Sequence, residues 1–414
     1  MEFKNTTLSK ISINNKGMYG IGAPAVEFDE NLPTYLRITD ITDDGNLIES
    51  DLKSVDSPKY KNYILKANDI VFARTGNSTG RNYFYNSKHG KLVYAGFLIK
   101  FSLDSELVFP KYIKYYCQTK EYWGWVNGVS TGSTRKNINA AIYGEMPITL
   151  PPKVIQKKIV NILEKYDYKI ETNNKIIANL EAQAQALFKY YFVDFEPFSD
   201  ENFVDSDLGP IPEGWEVSDI KNMSRKVVTG KTPSTKNKEY FGNYINFVKI
   251  PDMHGKIYSS NTDVMLSEEG MKSQSTKTIP KDSILVSCIA TVGLVNIASR
   301  EVQTNQQINS IIPKASNMRY YLYFVMKNMN KLLNAIGSSG STTKNINKRT
   351  FANINLIKPD EKTLDEFDNL ILPFFECIKL LYEQNQILAE ARDALLPKLM
   401  AGEIDLEGLG GSYD

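Results

Sequence analysis

The sequence contains few of the residues that usually bind metals or act as nucleophiles. Among 414 residues there are 3 cysteines and 2 histidines, His89 and His254. The spacing around these histidines does not match that of a metal site, so no metal is expected. The cysteines, Cys117, Cys288 and Cys377, are odd in number and far apart. This pattern predicts reduced thiols in the cytoplasm and argues against a disulfide framework.

Long apolar runs are also missing. No run approaches the roughly 18 residues that a membrane-spanning helix needs. The N-terminal residues MEFKNTTLSK lack a basic start followed by an apolar stretch, so no signal peptide is expected. We therefore expect a cytoplasmic protein with no membrane partner. With 42% apolar and 11% aromatic residues, the chain is expected to fold into two or more domains.

The motifs of several enzyme classes are incomplete or lacking. Gly230, Lys231 and Thr232 resemble the end of a phosphate-binding loop, but Arg225 stands where that motif requires its first glycine. The Asn/Asp-Pro-Pro-Tyr run that grips a flipped adenine is missing, and so is a glycine-rich turn of the dinucleotide or methyl-donor type. The chain is therefore predicted not to be an enzyme and to need no cofactor of its own.

Excess charge of one sign is missing as well, since the net charge is +1. Residues 1–357 are mildly basic, whereas residues 358–414 carry most of the acidic excess. That acidic segment is either a solvated face or a surface for a partner protein. A neutral chain alone predicts weak intrinsic binding to DNA.

One segment occurs twice in the chain. Residues 128–139 read GVSTGSTRKNIN and residues 336–347 read IGSSGSTTKNIN, with a constant offset of 208 positions. We call these two stretches the recurrent segments. The same offset aligns more than sixty residues without a gap, so the protein is a tandem duplication. A duplication of this kind predicts a molecule with two-fold pseudo-symmetry.

Each recurrent segment is followed by a long helical pattern. Apolar residues recur at spacings of three and four over residues 159–191 and again over residues 367–399. These heptad patterns predict two helices that need partners. Asn173 interrupts the first seam, while Asn385 and Arg392 interrupt the second.

The two helices can pair with each other. If they run antiparallel about their midpoints, residue i meets a position near 558 − i, which sets Asn173 opposite Asn385. A buried asparagine pair would specify register at some cost in stability, although two unrelated polar positions at a solvated edge would give the same sequence. Pro373 is expected to kink or break the second helix.

The rest of the chain has the pattern of two mixed α/β units. Alternation and turn residues predict strands at 35–41, 69–73, 91–101, 146–150, 244–250 and 283–287, and helices at 110–125 and 317–333. Residues 74–81 are predicted to form a loop, and residues 290–293 are predicted to take the place of residues 77–80 of that loop.

These loops and the recurrent segments carry hydroxyls, amides and cations. Such groups contact phosphate and sugar and read base edges, with arginine suited to guanine and asparagine to adenine. Two similar loops related by pseudo-symmetry suit a bipartite site on duplex DNA. The alternative is turn and cap chemistry, in which these side chains bond their own backbone. The candidate DNA contacts are Arg74, Thr75, Asn77, Ser78, Arg81, Ser133, Thr134, Arg135, Lys136, Asn137, Thr291, Ser341, Thr342, Thr343, Lys344 and Asn345.

Five stretches together resemble the DNA specificity (S) subunit of Type I restriction–modification systems. They are residues 131–138 (TGSTRKNI), 192–197 (FVDFEP), 211–216 (IPEGWE), 230–234 (GKTPS) and 305–309 (NQQIN). Each is weak alone, but their order, their spacing and the duplicated helices make the resemblance specific. The first half departs from the pattern, since no Pro-Glu-Gly-Trp run precedes Leu8.

The resemblance implies an α+β protein with two pseudo-symmetric α/β target-recognition domains, separated by a long antiparallel two-helix coiled coil. It implies that each domain reads one half of a split sequence in double-stranded DNA. It also implies that two methyltransferase (M) subunits dock on the chain and that restriction (R) subunits join the core so formed, which has one specificity subunit and two methyltransferase subunits. The methyl donor, ATP and magnesium would then belong to the partners.

This interpretation gives the chain five regions. Residues 1–152 are the first target-recognition domain and 153–195 the first spacer helix. Residues 196–359 hold a linker and the second domain, 360–402 the second helix, and 403–414 a C-terminal tail. Two other functions stay open, a stand-alone DNA-binding regulator and a coiled-coil scaffold for proteins.

Overall fold

Two helices of 40 residues each, Lys153–Phe192 and Glu361–Met400, follow the two β-rich parts of the chain. The computed structural model describes residues 3–129, 137–259, 261–338 and 344–406. They divide into two units. Unit 1 contains the described residues up to Glu171 and those from Asn385 onward, and unit 2 is Thr172–Gln384. Each unit thus includes part of both long helices.

The elements up to the end of the first long helix are β1 (Lys4–Thr7), β2 (Met18–Tyr19), β3 (Thr34–Leu36), β4 (Lys53–Ser54), β5 (Asp69–Ala73), β6 (Asn82–Phe84), β7 (Leu92–Tyr94), β8 (Leu98–Ser102), α1 (Pro110–Tyr116), α2 (Lys120–Val129), α3 (Ala140–Gly144), β9 (Pro147–Leu150) and α4 (Lys153–Phe192).

The remaining elements are β10 (Phe203–Val204), β11 (Ile211–Pro212), β12 (Glu216–Asp219), α5 (Ile220–Met223), β13 (Ser224–Thr229), β14 (Phe241–Val248), α6 (Ile250–Met253), β15 (Tyr258–Ser259), β16 (Met265–Leu266), α7 (Glu268–Lys272), β17 (Ile284–Ser287), β18 (Val295–Ala298), β19 (Val302–Thr304), β20 (Ile308–Pro313), α8 (Arg319–Asn328), α9 (Asn330–Ser338), α10 (Lys348–Ala352), β21 (Asn355–Lys358) and α11 (Glu361–Met400).

The sheets of unit 1 recur in unit 2 with their strands in the same order. The main sheet is β2-β8-β5-β6 in unit 1 and β13-β20-β17-β18 in unit 2, where β15 extends it. The smaller sheet β4-β3-β7 corresponds to β16-β14-β19, and the pair β1-β9 corresponds to β12-β21. Even the parallel pairings match, β3 with β7 and β14 with β19. The duplication in the sequence is therefore a duplication of topology.

The long helices follow the heptad pattern and pair antiparallel, as the sequence predicts. Within unit 2, Tyr191 near the end of α4 contacts Phe367 near the start of α11, with ring centroids 5.9 Å apart. Further along, Asn173 of α4 hydrogen-bonds to Gln384 of α11. Both contacts fit a register in which residue i meets a position near 558 − i. Among the described residues, no helix is long and apolar enough to cross a membrane.

Aromatic residues join the helices to the sheet-bearing part of each unit. In unit 2, the ring of Phe192 lies 4.8 Å from the rings of both Tyr321 and Phe367, measured between centroids. In unit 1, Phe72 of β5 lies in the same buried hydrophobic cluster as Leu163 of α4. Burying each such ring stabilises the fold by about 1.5–3 kcal/mol. The helices are thus part of both hydrophobic cores.

Three of the predicted strands are wrong in extent. The strand expected at 244–250 is β14, which ends at Val248, and α6 begins at Ile250. The strand expected at 35–41 ends at Leu36. There the Asp40 carboxylate accepts a hydrogen bond from the Arg37 backbone N–H at 2.8 Å and closes a 3-10 turn. The strand expected at 91–101 is two strands, β7 and β8, joined by a turn in which Leu98 N donates to Ala95 O at 2.8 Å.

The helix predictions need similar corrections. The helix expected at 110–125 is interrupted because the Thr119 hydroxyl binds Tyr116 O at the end of α1 and accepts the Tyr122 N–H within the first turn of α2. The helix expected at 317–333 divides into α8 and α9. The break expected at Pro373 does not occur, since α11 is continuous. Ile371 and Phe375, which flank the proline, are fully buried. Burying two such side chains contributes about 3–6 kcal/mol, enough to offset the roughly 3 kcal/mol that a proline costs inside a helix.

Candidate nucleic-acid interface

Three segments of unit 1 meet where β5 ends and β8 begins. The backbone N–H of Arg74 donates to Phe97 O at 3.0 Å, and the backbone N–H of Ile138 donates to Arg74 O at 2.9 Å. Thr75 also forms a β-bridge with Asn137. We call residues 74–81, 94–97 and 137–138 the first loop cluster. It joins the end of the first recurrent segment to the loop that follows β5.

Unit 2 contains the same junction. The backbone N–H of Cys288 donates to Gln307 O at 2.8 Å, and that of Ile346 donates to Cys288 O at 2.8 Å. Ile289 forms a β-bridge with Asn345. Residues 288–294, 304–307 and 344–346 are the second loop cluster. Its three segments are connected in the same way as those of the first.

Residues 74–81 of the first cluster and 288–294 of the second are called the central loops, and they share their backbone conformation. Gly76 and Gly80 have φ angles of 73° and 95°, and Ala290 and Gly293 have φ angles of 63° and 93° at the corresponding places. Ala290 adopts a left-handed conformation that costs a residue with a side chain of the order of 1 kcal/mol. The left-handed conformation therefore costs more at Ala290 in unit 2 than at Gly76 in unit 1, and the surrounding contacts must offset this cost.

Two buried tyrosines hydrogen-bond to the backbone at the two ends of the first central loop. The Tyr143 hydroxyl donates to Ala73 O at 2.8 Å, and the Tyr122 hydroxyl donates to Gly80 O. Burial raises the pKa of both tyrosines far above the ordinary value, so they stay neutral donors. In unit 2, burial raises the pKa of the Cys288 thiol to about 11, so this cysteine is a neutral core residue at neutral pH.

The predicted contacts of the first cluster divide into exposed and supporting residues. Asn77 and Asn137 are exposed, and Thr75 is half-buried. The guanidinium of Arg74 lies 5.1 Å from the centre of the Tyr19 ring. Ser78 is buried, and Arg81 pairs with Asp43 at 2.7 Å.

In the second cluster, Thr291, Lys344 and Asn345 are exposed. Lys344 Nζ donates to Asn334 Oδ1 at 2.7 Å, and Asn334 Nδ2 donates to Val292 O at 3.2 Å. This chain of hydrogen bonds positions the lysine beside the central loop.

The remaining predicted contacts lie outside the described residues. They are Ser133, Thr134, Arg135, Lys136, Ser341, Thr342 and Thr343.

Cap chemistry is found two residues after Asn137 and Asn345, at the end of each recurrent segment. Asn139 Oδ1 accepts the Ile142 N–H at 2.9 Å, and Asn347 Oδ1 accepts the Thr350 N–H at 2.9 Å. These asparagines therefore start α3 and α10. With the described part of the chain, the side chains of Asn137 and Asn345 make no such hydrogen bond.

A fourth segment packs on each cluster and was not among the predicted contacts. Gly20 N donates to Leu98 O and Gly230 N to Ile308 O, each at 3.1 Å. A Cβ atom on either glycine would lie 2.2 Å from a backbone oxygen, so only glycine allows this approach. The segment brings Tyr19 to the first cluster.

In unit 2 the fourth segment brings Lys231 and Thr232 to the second cluster, where the Thr232 hydroxyl donates to Gln306 Oε1 at 2.7 Å. Lys231 and Gln306 are exposed. Two of the stretches that carry the family resemblance, residues 230–234 and 305–309, thus lie side by side. The presence of both motifs was the signal in the sequence that could have identified Lys231, Thr232 and Gln306.

The helix positions form a separate candidate set. Asn173 is fully buried, and its amide donates to Gln384 Oε1 at 2.8 Å, while Asn385 is half-buried. Among the described residues, no group of three or more His, Cys, Asp or Glu side chains could hold a metal ion.

Comparisons with known proteins identify one family over most of the chain. The model of the family described as "Type I restriction modification DNA specificity domain" matches residues 2–182 and again residues 212–386. The HindI specificity subunit of a Type I restriction enzyme from Haemophilus influenzae is 31% identical over 84% of this chain and 89% of its own length. The MjaIX specificity subunit from Methanocaldococcus jannaschii is 30% identical over 73% of this chain and 71% of its own. In structure, the Type I S subunit from M. genitalium covers 96% of both chains with a TM-score of 0.54 and 13% identity, which shows a shared fold.

Proposed function

The chain belongs to the Type I restriction–modification DNA specificity family, and we propose that its two loop clusters read the two halves of one split DNA site. It is the DNA-recognition subunit of a restriction–modification complex. In this proposal the recognition domains are residues 1–152 and, after a linker, residues 196–359.

The observation that carries the proposal is the repeated three-segment junction. The same pair of backbone hydrogen bonds joins the recurrent segment, the central loop and the strand turn in both units. A junction that existed only to close the fold would not require polar side chains to project from it. Here Asn77, Asn137, Thr291 and Asn345 all project into solvent.

The exposed groups have the chemistry for duplex DNA. Asparagine can pair with the hydrogen-bonding edge of adenine, and arginine with that of guanine. Lysines at the rim, Lys231 and Lys344, suit phosphate contacts that set position without reading sequence. Ser133, Thr134, Arg135 and Lys136, together with Ser341, Thr342 and Thr343, extend the proposed surface. Ser78 and Arg81 would contribute to DNA binding by holding the loop in the conformation that presents its exposed side chains.

The paired helices are proposed to set the distance between the half-sites. A helix of 40 residues is about 60 Å long, at about 1.5 Å per residue. Adjacent half-sites one turn of DNA apart have centres about 34–36 Å apart. The helices, residues 153–195 and 360–402, are thus long enough for the role, and residues 403–414 form a tail. We propose that the buried Asn173 and the half-buried Asn385 together specify their register.

Catalysis is proposed to lie in the partners. Two methyltransferase subunits would dock on the chain, flip the target adenine and carry the methyl donor. Restriction subunits would join through the core of one specificity and two methyltransferase subunits, and would supply ATP-driven translocation and cleavage. The chain itself would need no cofactor, and its DNA partner and reduced cysteines fit a place in the cytoplasm.

Co-expression with the methyltransferase subunit of its own system tests the proposal. Adenine methylation is mapped across the host genome by single-molecule sequencing, with the methyltransferase alone as control. The expected result is a bipartite motif with a fixed gap. A short continuous motif would favour the stand-alone regulator. A stable complex that gives no methylation and does not respond to DNA would favour the protein scaffold.

A further inference from the structure

One aromatic ring of the first loop cluster is unusually exposed. Phe97 lies in the turn between β7 and β8, and 59% of its surface is accessible. Its backbone is fixed all the same, because its carbonyl accepts the Arg74 N–H at 3.0 Å. When a ligand covers a large apolar side chain that was exposed to water, the binding free energy becomes more favourable.

The corresponding position in unit 2 is polar. Gln307 accepts the Cys288 N–H through its carbonyl, just as Phe97 accepts that of Arg74. The amide oxygen of Gln307 in turn accepts a hydrogen bond from Asn305 Nδ2 at 2.9 Å. The two clusters therefore share a backbone but present different chemistry at one matched position.

The surroundings of Phe97 place this difference on the proposed DNA-reading surface. Tyr19, on the segment that Gly20 packs against the same turn, is 44% exposed and lies under the Arg74 guanidinium. Arg74 and Asn137 join the cluster through the same network of backbone hydrogen bonds. Phe97 thus belongs to the same loop cluster as the side chains that would read base edges.

A phenyl ring can offer a base edge only an apolar contact. In the major groove, the one apolar group that distinguishes a base pair is the C5-methyl group of thymine. Resting on the function proposed above, we infer that Phe97 is a specificity-determining residue that contacts the methyl group of a thymine in the half-site read by unit 1. Gln307 makes the matched position of unit 2 a hydrogen-bonding reader.

Uracil substitution tests this contact, because uracil differs from thymine only by the missing methyl group. The purified complex with its methyltransferase methylates synthetic duplexes that carry the mapped site, with each thymine replaced in turn by uracil. In one half-site, one replacement is expected to slow methylation by the wild-type complex about fourfold, the effect of losing one buried methyl group. The Phe97→Ala complex is expected to methylate the thymine and uracil duplexes at equal rates.

The controls separate this inference from the general proposal. Phe28→Ala removes a ring that is 51% exposed in unit 1 but outside the cluster, and it should keep the thymine preference. Melting curves verify that the variants fold. A split site without a thymine effect, or a Phe97→Ala complex that keeps the preference, would overturn the inference. Failure of the wild-type complex to methylate any split site would instead contradict the function proposed above.

Discussion

Asp167 of α4 accepts a hydrogen bond from Arg392 of α11, with 2.8 Å between Oδ1 and Nη1. The same carboxylate accepts hydrogen bonds from Lys114 at 2.9 Å and from the Tyr115 hydroxyl at 2.7 Å. In the sequence, Arg392 is a polar interruption of an apolar seam. In the structure it is one of two cations that hold both helices to α1 within unit 1.

The Asp167 cluster predicts a pH dependence of stability. Burial alone would raise the pKa of Asp167, but Lys114 and Arg392 outweigh it and hold the pKa below its ordinary value. A carboxylate with a lowered pKa in the folded state stabilises the protein above its unfolded pKa of about 3.9, and this contribution is lost as the pH falls through the folded value. Asp167→Asn should cost about 3 kcal/mol at pH 7 and less below pH 4, as measured by denaturant unfolding.

Glu164→Gln is the matched control on the same helix. Glu164 pairs with Lys111 at 2.6 Å, but both side chains are more than a third exposed, so its loss should cost under about 1 kcal/mol. Equal losses for Asp167→Asn and Glu164→Gln would contradict the role given to the buried cluster.

The buried Asn173 is predicted to lower the stability of the helix pair while specifying its register. Replacing Asn173 and Asn385 together by leucine should raise the melting temperature, since apolar side chains pack better in a helix seam. Without the polar pair, the helices should slip, and the methylated motif should show a second gap length. Asn179→Leu serves as control, because Asn179 is exposed and its side chain hydrogen-bonds to Gln183 of the same helix. This variant should leave the gap unchanged. A single unchanged gap in the double variant would count against the register hypothesis.

The length of the helices predicts the length of the gap in the DNA site. Removing one heptad from each helix, centred on Asn173 and Asn385, shortens the pair by about 10 Å, at 1.5 Å per residue. Because base pairs are about 3.4 Å apart, the gap in the methylated motif should shrink by about three base pairs. Removal from one helix only should abolish methylation, since the seams no longer match. An unchanged gap after the paired deletion would rule out a spacing role for the helices.

The repeated and periodic features were predictable from the sequence because each depends on local pattern. The offset between Thr134 and Thr342 showed the duplication, and the heptads gave α4 and α11 nearly to the residue. The strand at Asp69–Ala73 was also predicted correctly, since its apolar run has clear turn residues after it.

The features that could not be predicted from the sequence depend on specific contacts made in the folded chain. The turn at 95–97 divides a continuous β-type pattern because Gly20, some 75 positions earlier, packs against it. The interruption at Thr119 comes from its side-chain hydroxyl, which composition does not reveal. The roles of Asn137 and Asn139 look the same in the sequence, and only the start of α3 distinguishes the capping residue from the exposed one.

That distinction provides the most direct measurement of the central claim, that each loop cluster reads one half-site. The motif methylated by complexes that carry Asn137→Ala or Asn345→Ala is mapped beside the capping variants Asn139→Ala and Asn347→Ala. Loss of a cap should cost about 1 kcal/mol of stability and leave the motif unchanged. Asn137→Ala is expected to relax one half of the motif and Asn345→Ala the other half, with the gap preserved. Relaxation of the same half by both variants, or of neither half, would contradict the account.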